Sequence, residues 1–194
     1  YTFAEGAFIA DRIRQKLLSL GITPEDRVGF LVPRSELYMF SVLGILSTGA
    51  AYVPLDENLP DERLSFMIQD AVTGCLIVSD DTQERAKKLA GDGITLFNIS
   101  GIMKEDIGTL TELTFTPGTI ASILYTSGST GIPKGVKITT GAVLNYTSFH
   151  LKKIPLLPGD VCALYASIGF DVSMEVLFSV LSSGACMDIV PEEK

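Results

Sequence analysis

Short apolar runs alternate along the chain with stretches in which apolar residues return every three or four positions. Phe8, Ile9, Ile13, Leu17 and Leu18 share one helical face, and Gly21 ends that helix. Val28 to Val32 is a short apolar run stopped by Pro33, the signature of a buried strand. The pattern continues with a helix over Glu36–Ser47 closed by Gly49, an extended run over Ala51–Leu55, and a helix over Asp61–Asp70 behind Pro60. A strand over Leu76–Val78, a helix over Thr82–Ala90 and a strand over Ile94–Phe97 follow. Beyond Gly118 the chain reads as a strand over Ile120–Tyr125, a loop over Ser127–Gly135 and a helix over Gly141–Lys152. It closes with a strand over Val161–Tyr165, a helix over Val172–Leu181 and a strand over Ala185–Val190. This alternation predicts an α/β fold, with largely parallel sheets covered by helices. Residues 99–119 lack periodicity and carry Gly101, Gly108, Pro117 and Gly118. They read as a connector between a first lobe, 1–98, and a second, 120–194. The pattern leaves open whether the lobes share one sheet.

Of the 194 residues, 46% are hydrophobic, enough for a sizeable core, and the net charge is −8. That charge argues against a nucleic-acid or anionic-membrane surface, so an anionic ligand has to be held locally by backbone amides and one or two cations. No apolar run approaches the roughly 20 residues of a membrane span. Cys75, Cys162 and Cys186 lie in apolar runs without paired spacing, as reduced thiols of a cytoplasmic protein do. His150 is the single histidine, so no metal site is expected. The abrupt start at Tyr1-Thr2-Phe3 and the stop at Glu192-Glu193-Lys194 read as cut ends of something longer.

The densest chemistry is the run Tyr125-Thr126-Ser127-Gly128-Ser129-Thr130-Gly131-Ile132-Pro133-Lys134-Gly135, directly after an apolar strand. Glycines let the backbone turn tightly and bring N–H groups against a ligand. The hydroxyls add donors to phosphate oxygens, and Lys134 adds a charge-assisted hydrogen bond. The bland alternative is a polar strand-to-strand turn. A Walker A loop does not fit, because Pro133 precedes the lysine where a glycine belongs and Gly135 follows it where Ser or Thr belongs. No G-x-G-x-x-G follows the first strands either, which argues against a flavodoxin-like or dinucleotide-binding domain.

The eleven-residue string resembles the signature of the adenylate-forming (ANL) superfamily of AMP-binding enzymes, and three further stretches agree in order. Tyr1-Thr2-Phe3-Ala4-Glu5 resembles the opening motif of carrier-loading adenylation domains. Gly49 to Asp56 with Pro60 to Leu64 resembles their second motif, and Phe170-Asp171-Val172-Ser173 their substrate-pocket motif. The nearest resemblance is to the amino-acid adenylation domain of nonribosomal peptide synthetases, which implies the large N-terminal subdomain of such an enzyme. It also implies a two-step reaction. A carboxylate attacks the α-phosphate of Mg²⁺-bound ATP, and a phosphopantetheine thiol on a peptidyl carrier protein or domain then takes the acyl group. The matching phosphate-binding positions are Thr126, Ser127, Gly128, Ser129, Thr130, Gly131 and Lys134. The family's catalytic lysine falls beyond this sequence, so these 194 residues alone are expected to be inactive.

In the amino-acid branch the aspartate matching Asp171 pairs with the substrate α-ammonium, and Phe170 flanks it. Asp171 is equally suited to cap the helix beginning near Val172. Glu175, four residues on, puts a second carboxylate on the same side of that helix. It reads either as the partner of a second amine on an ornithine- or lysine-like substrate, or as a helix-face glutamate that is solvated or paired with Arg or Lys. Thr139-Thr140-Gly141 stands where many members carry a histidine, and Glu57 where synthetase domains usually carry a proline. A D-alanine–carrier protein ligase therefore remains an alternative, as does a nucleotide-binding module without catalysis.

Overall fold

The computed structural model describes residues 1–102, 116–127 and 132–191. In chain order the elements are α1 (Phe3–Ser19), β1 (Arg27–Leu31), α2 (Glu36–Leu46), β2 (Ala51–Pro54), α3 (Asp61–Asp70), β3 (Cys75–Val78), α4 (Gln83–Ala90) and β4 (Thr95–Asn98). They continue with β5 (Ile120–Thr126), β6 (Lys134–Thr139), α5 (Thr140–Lys153), β7 (Val161–Leu164), α6 (Asp171–Ser183) and β8 (Cys186–Ile189). Six strands form one sheet in the order β4-β3-β1-β2-β5-β6, parallel except for the antiparallel pairing of β6 with β5. β7 and β8 form a second, parallel sheet. The expected α/β class with largely parallel sheets holds. β5 and β6 lie beyond the 99–119 connector yet extend the sheet begun by β1 to β4.

Helices cover both faces of the large sheet, which is why every residue of β2 and β3 is buried. On one face Ile13 and Leu17 of α1 and Tyr38, Phe40 and Ile45 of α2 meet Val28 and Phe30. On the other, Leu64 and Ile68 of α3 and Ala86 and Leu89 of α4 meet Leu31, Val53 and Leu76. α1 starts at a capping box. The Thr2 hydroxyl accepts from the Glu5 N–H, and the Glu5 carboxylate accepts from the Thr2 N–H at 2.7 Å. Arg85 fastens α4 to the loop after β2 by donating to Asp61 at 2.8 Å, to the Leu59 carbonyl at 2.7 Å and to the Glu57 carbonyl.

β6 is the one described strand that the hydropathy pattern does not announce. It is the edge of the sheet, with four of its six residues exposed, so it has no apolar run and is defined by its pairing with β5.

Candidate functional site

The chemistry-bearing turn joins β5 to β6 as an antiparallel hairpin closed by the Thr126–Lys134 pair. Thr126, Ser127 and Lys134 are exposed at its open end. Gly128, Ser129, Thr130 and Gly131 lie outside the described residues. Among the described residues no acid pairs with Lys134. The hairpin is anchored through Tyr125, whose hydroxyl donates to Asp70 at 2.7 Å and whose ring meets Phe66 edge-on. Burial, and then the Asp70 carboxylate it donates to, push the Tyr125 hydroxyl well above its ordinary range. Gly135 faces Tyr125 across the pair. A methyl there would lie 3.0 Å from Ile123 Cγ2 and 3.1 Å from the Tyr125 ring. This glycine lets the tyrosine cross the hairpin.

β6 runs straight into α5, where the Thr139 hydroxyl caps the helix by accepting from the Ala142 N–H. α5 packs beside α6, and a cavity of about 610 Å³ opens between β6, α5 and α6. Asp171 and Glu175 both line it, as their four-residue spacing implied, together with Ile138, Asn145, Tyr146 and Met174. Among the described residues no lysine or arginine lines it. Phe170, the N-cap residue of α6, is 64% exposed.

Two sequence expectations need correction. Asp171 does not cap α6. Phe170 occupies the N-cap position with extended dihedrals, no side chain among the described residues caps the helix, and Asp171 is its first residue. Its carboxylate still sits where the helix dipole favours negative charge. Glu175 is half-buried, and its partners among the described residues are a tyrosine and a histidine rather than an Arg or Lys. The Tyr146 hydroxyl donates to its Oε2 at 2.6 Å, and His150 Nε2 lies 3.4 Å from its Oε1. His150 Nδ1 in turn lies 3.0 Å from Ser179 Oγ. The carboxylate it donates to pushes the Tyr146 hydroxyl up. Tyr146 and His150 share a face of α5 at four-residue spacing, but nothing in the sequence says that α6 lies opposite.

All three cysteines are free: Cys75 buried, Cys162 half-buried and Cys186 exposed. Among the described residues no group of three or more His, Cys, Asp or Glu is placed to hold a metal ion, and no helix is long and apolar enough to cross a membrane.

A six-stranded, mainly parallel sheet covered by helices on both faces, with a polar hairpin turn at the carboxyl end of β5, defines an open-sheet α/β protein. Within that class the chain belongs to the AMP-binding enzyme family, which it matches over residues 1–194. It is 37% identical over 196 residues to a linear gramicidin synthase of Brevibacillus parabrevis, covering 99% of this chain and 2% of that protein. It is 33% identical over 210 residues to the L-proline–[L-prolyl-carrier protein] ligase of Streptomyces coelicolor, covering 98% of this chain and 40% of that protein. It superimposes on holo-AB3403, a four-domain nonribosomal peptide synthetase bound to AMP and glycine, with a TM-score of 0.83 and 28% identity. That match covers 96% of this chain and 14% of that one. The chain thus spans between 2% and 40% of the length of these relatives.

Proposed function

We propose that the protein carrying this chain activates an amino acid with ATP and passes it to a carrier thiol. A carboxylate oxygen of the substrate attacks the α-phosphorus of Mg·ATP. The bond from that phosphorus to the bridging oxygen breaks, and pyrophosphate leaves. The phosphopantetheine thiol of a peptidyl carrier then displaces AMP from the acyl-adenylate. Residues 1–98 and 120–194 act as lobes of one adenylation domain, with 99–119 connecting them.

The observation that carries this reading is the layout of residues 126–175. An exposed ammonium and two hydroxyls close the hairpin at one end of β6, and a two-carboxylate cavity opens at the other. Thr126, Ser127 and Lys134, with Gly128, Ser129, Thr130 and Gly131, hold the β- and γ-phosphates and stabilise charge on the departing pyrophosphate. Asp171 accepts the substrate α-ammonium and Phe170 flanks it. Glu175, held by Tyr146, faces the side chain and favours one that carries an amine. The names of the relatives support amino-acid and carrier chemistry.

ATP–pyrophosphate exchange by the intact enzyme tests this. A charge-assisted hydrogen bond contributes about 1.5–3 kcal/mol net, so Lys134→Ala is expected to lower exchange roughly ten- to a hundredfold. Unchanged exchange in Lys134→Ala would refute the phosphate role. ATP binding without exchange for any amino acid would identify a nucleotide-binding module instead.

A further inference from the structure

The loop over residues 165–170, between β7 and α6, leads directly into Asp171, which lines the cavity, yet its supports come from more than a hundred residues earlier in the chain. Arg34, in the turn after β1, donates to the carbonyls of Tyr165 and Val190, where β7 and β8 end. The fully buried Tyr38 donates to Ser173 Oγ at 3.2 Å in the first turn of α6. Between these two holds, Asp56 grips the middle of the loop. Its Oδ2 accepts the Ser167 hydroxyl, and its Oδ1 accepts from the Asn58 N–H at 2.9 Å and from Asn58 Nδ2 at 3.0 Å. Asp56 is only 8% exposed, at the carboxyl end of β2, so this carboxylate is committed to protein partners rather than to a ligand. Ser167 passes the constraint on. Its Oγ accepts from the Gly169 N–H at 3.3 Å, and its carbonyl accepts from the Phe170 N–H at 3.1 Å.

We infer that Asp56 is a positioning residue for amino-acid binding: through Ser167 it fixes the loop that sets Asp171 against the substrate amine. The inference rests on the proposed role of Asp171. Arg34 holds the strand ends and Tyr38 the helix, but Asp56 fixes the turn itself, four residues before Asp171. A charge-assisted hydrogen bond to a buried carboxylate is strong enough to fix that turn. A merely structural Asp56 would lower stability and affect ATP and amino-acid use alike. A positioning Asp56 acts on the amino-acid side.

The test is exchange kinetics of the intact enzyme at varied amino acid and varied ATP, with thermal melts to confirm folding. Removing one charge-assisted bond predicts that Ser167→Ala and Asp56→Ala each raise the amino-acid KM about tenfold, with the ATP KM within about twofold of the parent. The two residues act as one link, so the double variant is no worse in amino-acid KM than the worse single variant. Asp56→Asn recovers most of the loss, because its amide can donate to Ser167 Oγ. Overturning results are an unchanged amino-acid KM in Ser167→Ala, equal shifts in both KM values, or additive effects in the double variant. Asp171→Ala separates the two claims. If it leaves the amino-acid KM unchanged, the assignment of Asp171 fails and this inference falls with it. If it raises that KM while Ser167→Ala does not, only the inference fails.

Discussion

Replacing Gly44 with alanine tests how closely α1 and α2 are seated beneath the site. Helix propensity alone says the change stabilises, by about 1 kcal/mol in a helix interior. The packing says otherwise. A methyl on Gly44 would stand 2.4 Å from Ile13 Cγ2 and 2.5 Å from Ile13 Cβ, with the Ala10 carbonyl oxygen 3.3 Å away. Carbon atoms pack at about 3.5–4.0 Å, so the helices would have to part by roughly 1 Å. Ile13 is fully buried, and its Cβ cannot rotate aside. Overpacking of a filled core costs about 1–3 kcal/mol, and a clash against Cβ belongs at the upper end. Setting that against the propensity gain leaves a net loss of about 2 kcal/mol. For a chain of this size the melting temperature should fall by about 4–8 °C. The chain has no tryptophan, so far-UV circular dichroism is the suitable probe. Gly74→Ala is the control, since nothing lies within 4 Å of its added methyl. A Gly44→Ala melt at or above the parent would refute the close seating of the two helices.

Cysteine alkylation followed by mass spectrometry should label Cys186 first, Cys162 more slowly and Cys75 only on unfolding; early labelling of Cys75 would contradict its burial. Burial pushes the Cys75 thiol up to about 11 from 9.0. The folded state therefore favours the neutral thiol, and that contribution is complete below pH 9 and lost as pH rises towards 11. The loss approaches about 3 kcal/mol, and denaturation midpoints across that window in the parent and in Cys75→Ala measure it. Tyr146 titrates above its ordinary range because it donates to Glu175, so its hydrogen bond holds at neutral pH and is lost as pH rises through the raised value. In a spectrophotometric tyrosinate titration Glu175→Gln should bring this tyrosine back down, and an unmoved midpoint would show that the carboxylate is not the cause.

The sequence announced most elements because each buries a whole face or stripe, which leaves a periodic trace. The capping box of α1 was also there to read, as Thr2 and Glu5 at three-residue spacing. β6 left no trace because Lys134 to Thr139 is an exposed edge interrupted by Gly135, and its strand state depends on β5. Asp171 has the chemistry of an N-cap, but the Ser173 hydroxyl bonds back to the Phe170 carbonyl at 2.7 Å and α6 begins one residue earlier than that role requires. The Tyr146–Glu175, Ser167–Asp56 and Arg34–Val190 bonds were illegible for one reason: they join residues 29, 111 and 156 positions apart, and only the fold brings them together.

β6 behaves as a ruler with a fixed parity. Lys134 and Ile138 lie four residues apart on one side of the strand, about 14 Å from hairpin mouth to cavity wall at 3.4 Å per residue. One inserted residue would turn Ile138 to the opposite side and swap which side chains meet α5 and which meet solvent. Two would restore the sidedness but stretch the span by about 7 Å. The length of this strand is therefore as much a part of the site as the residues at its two ends.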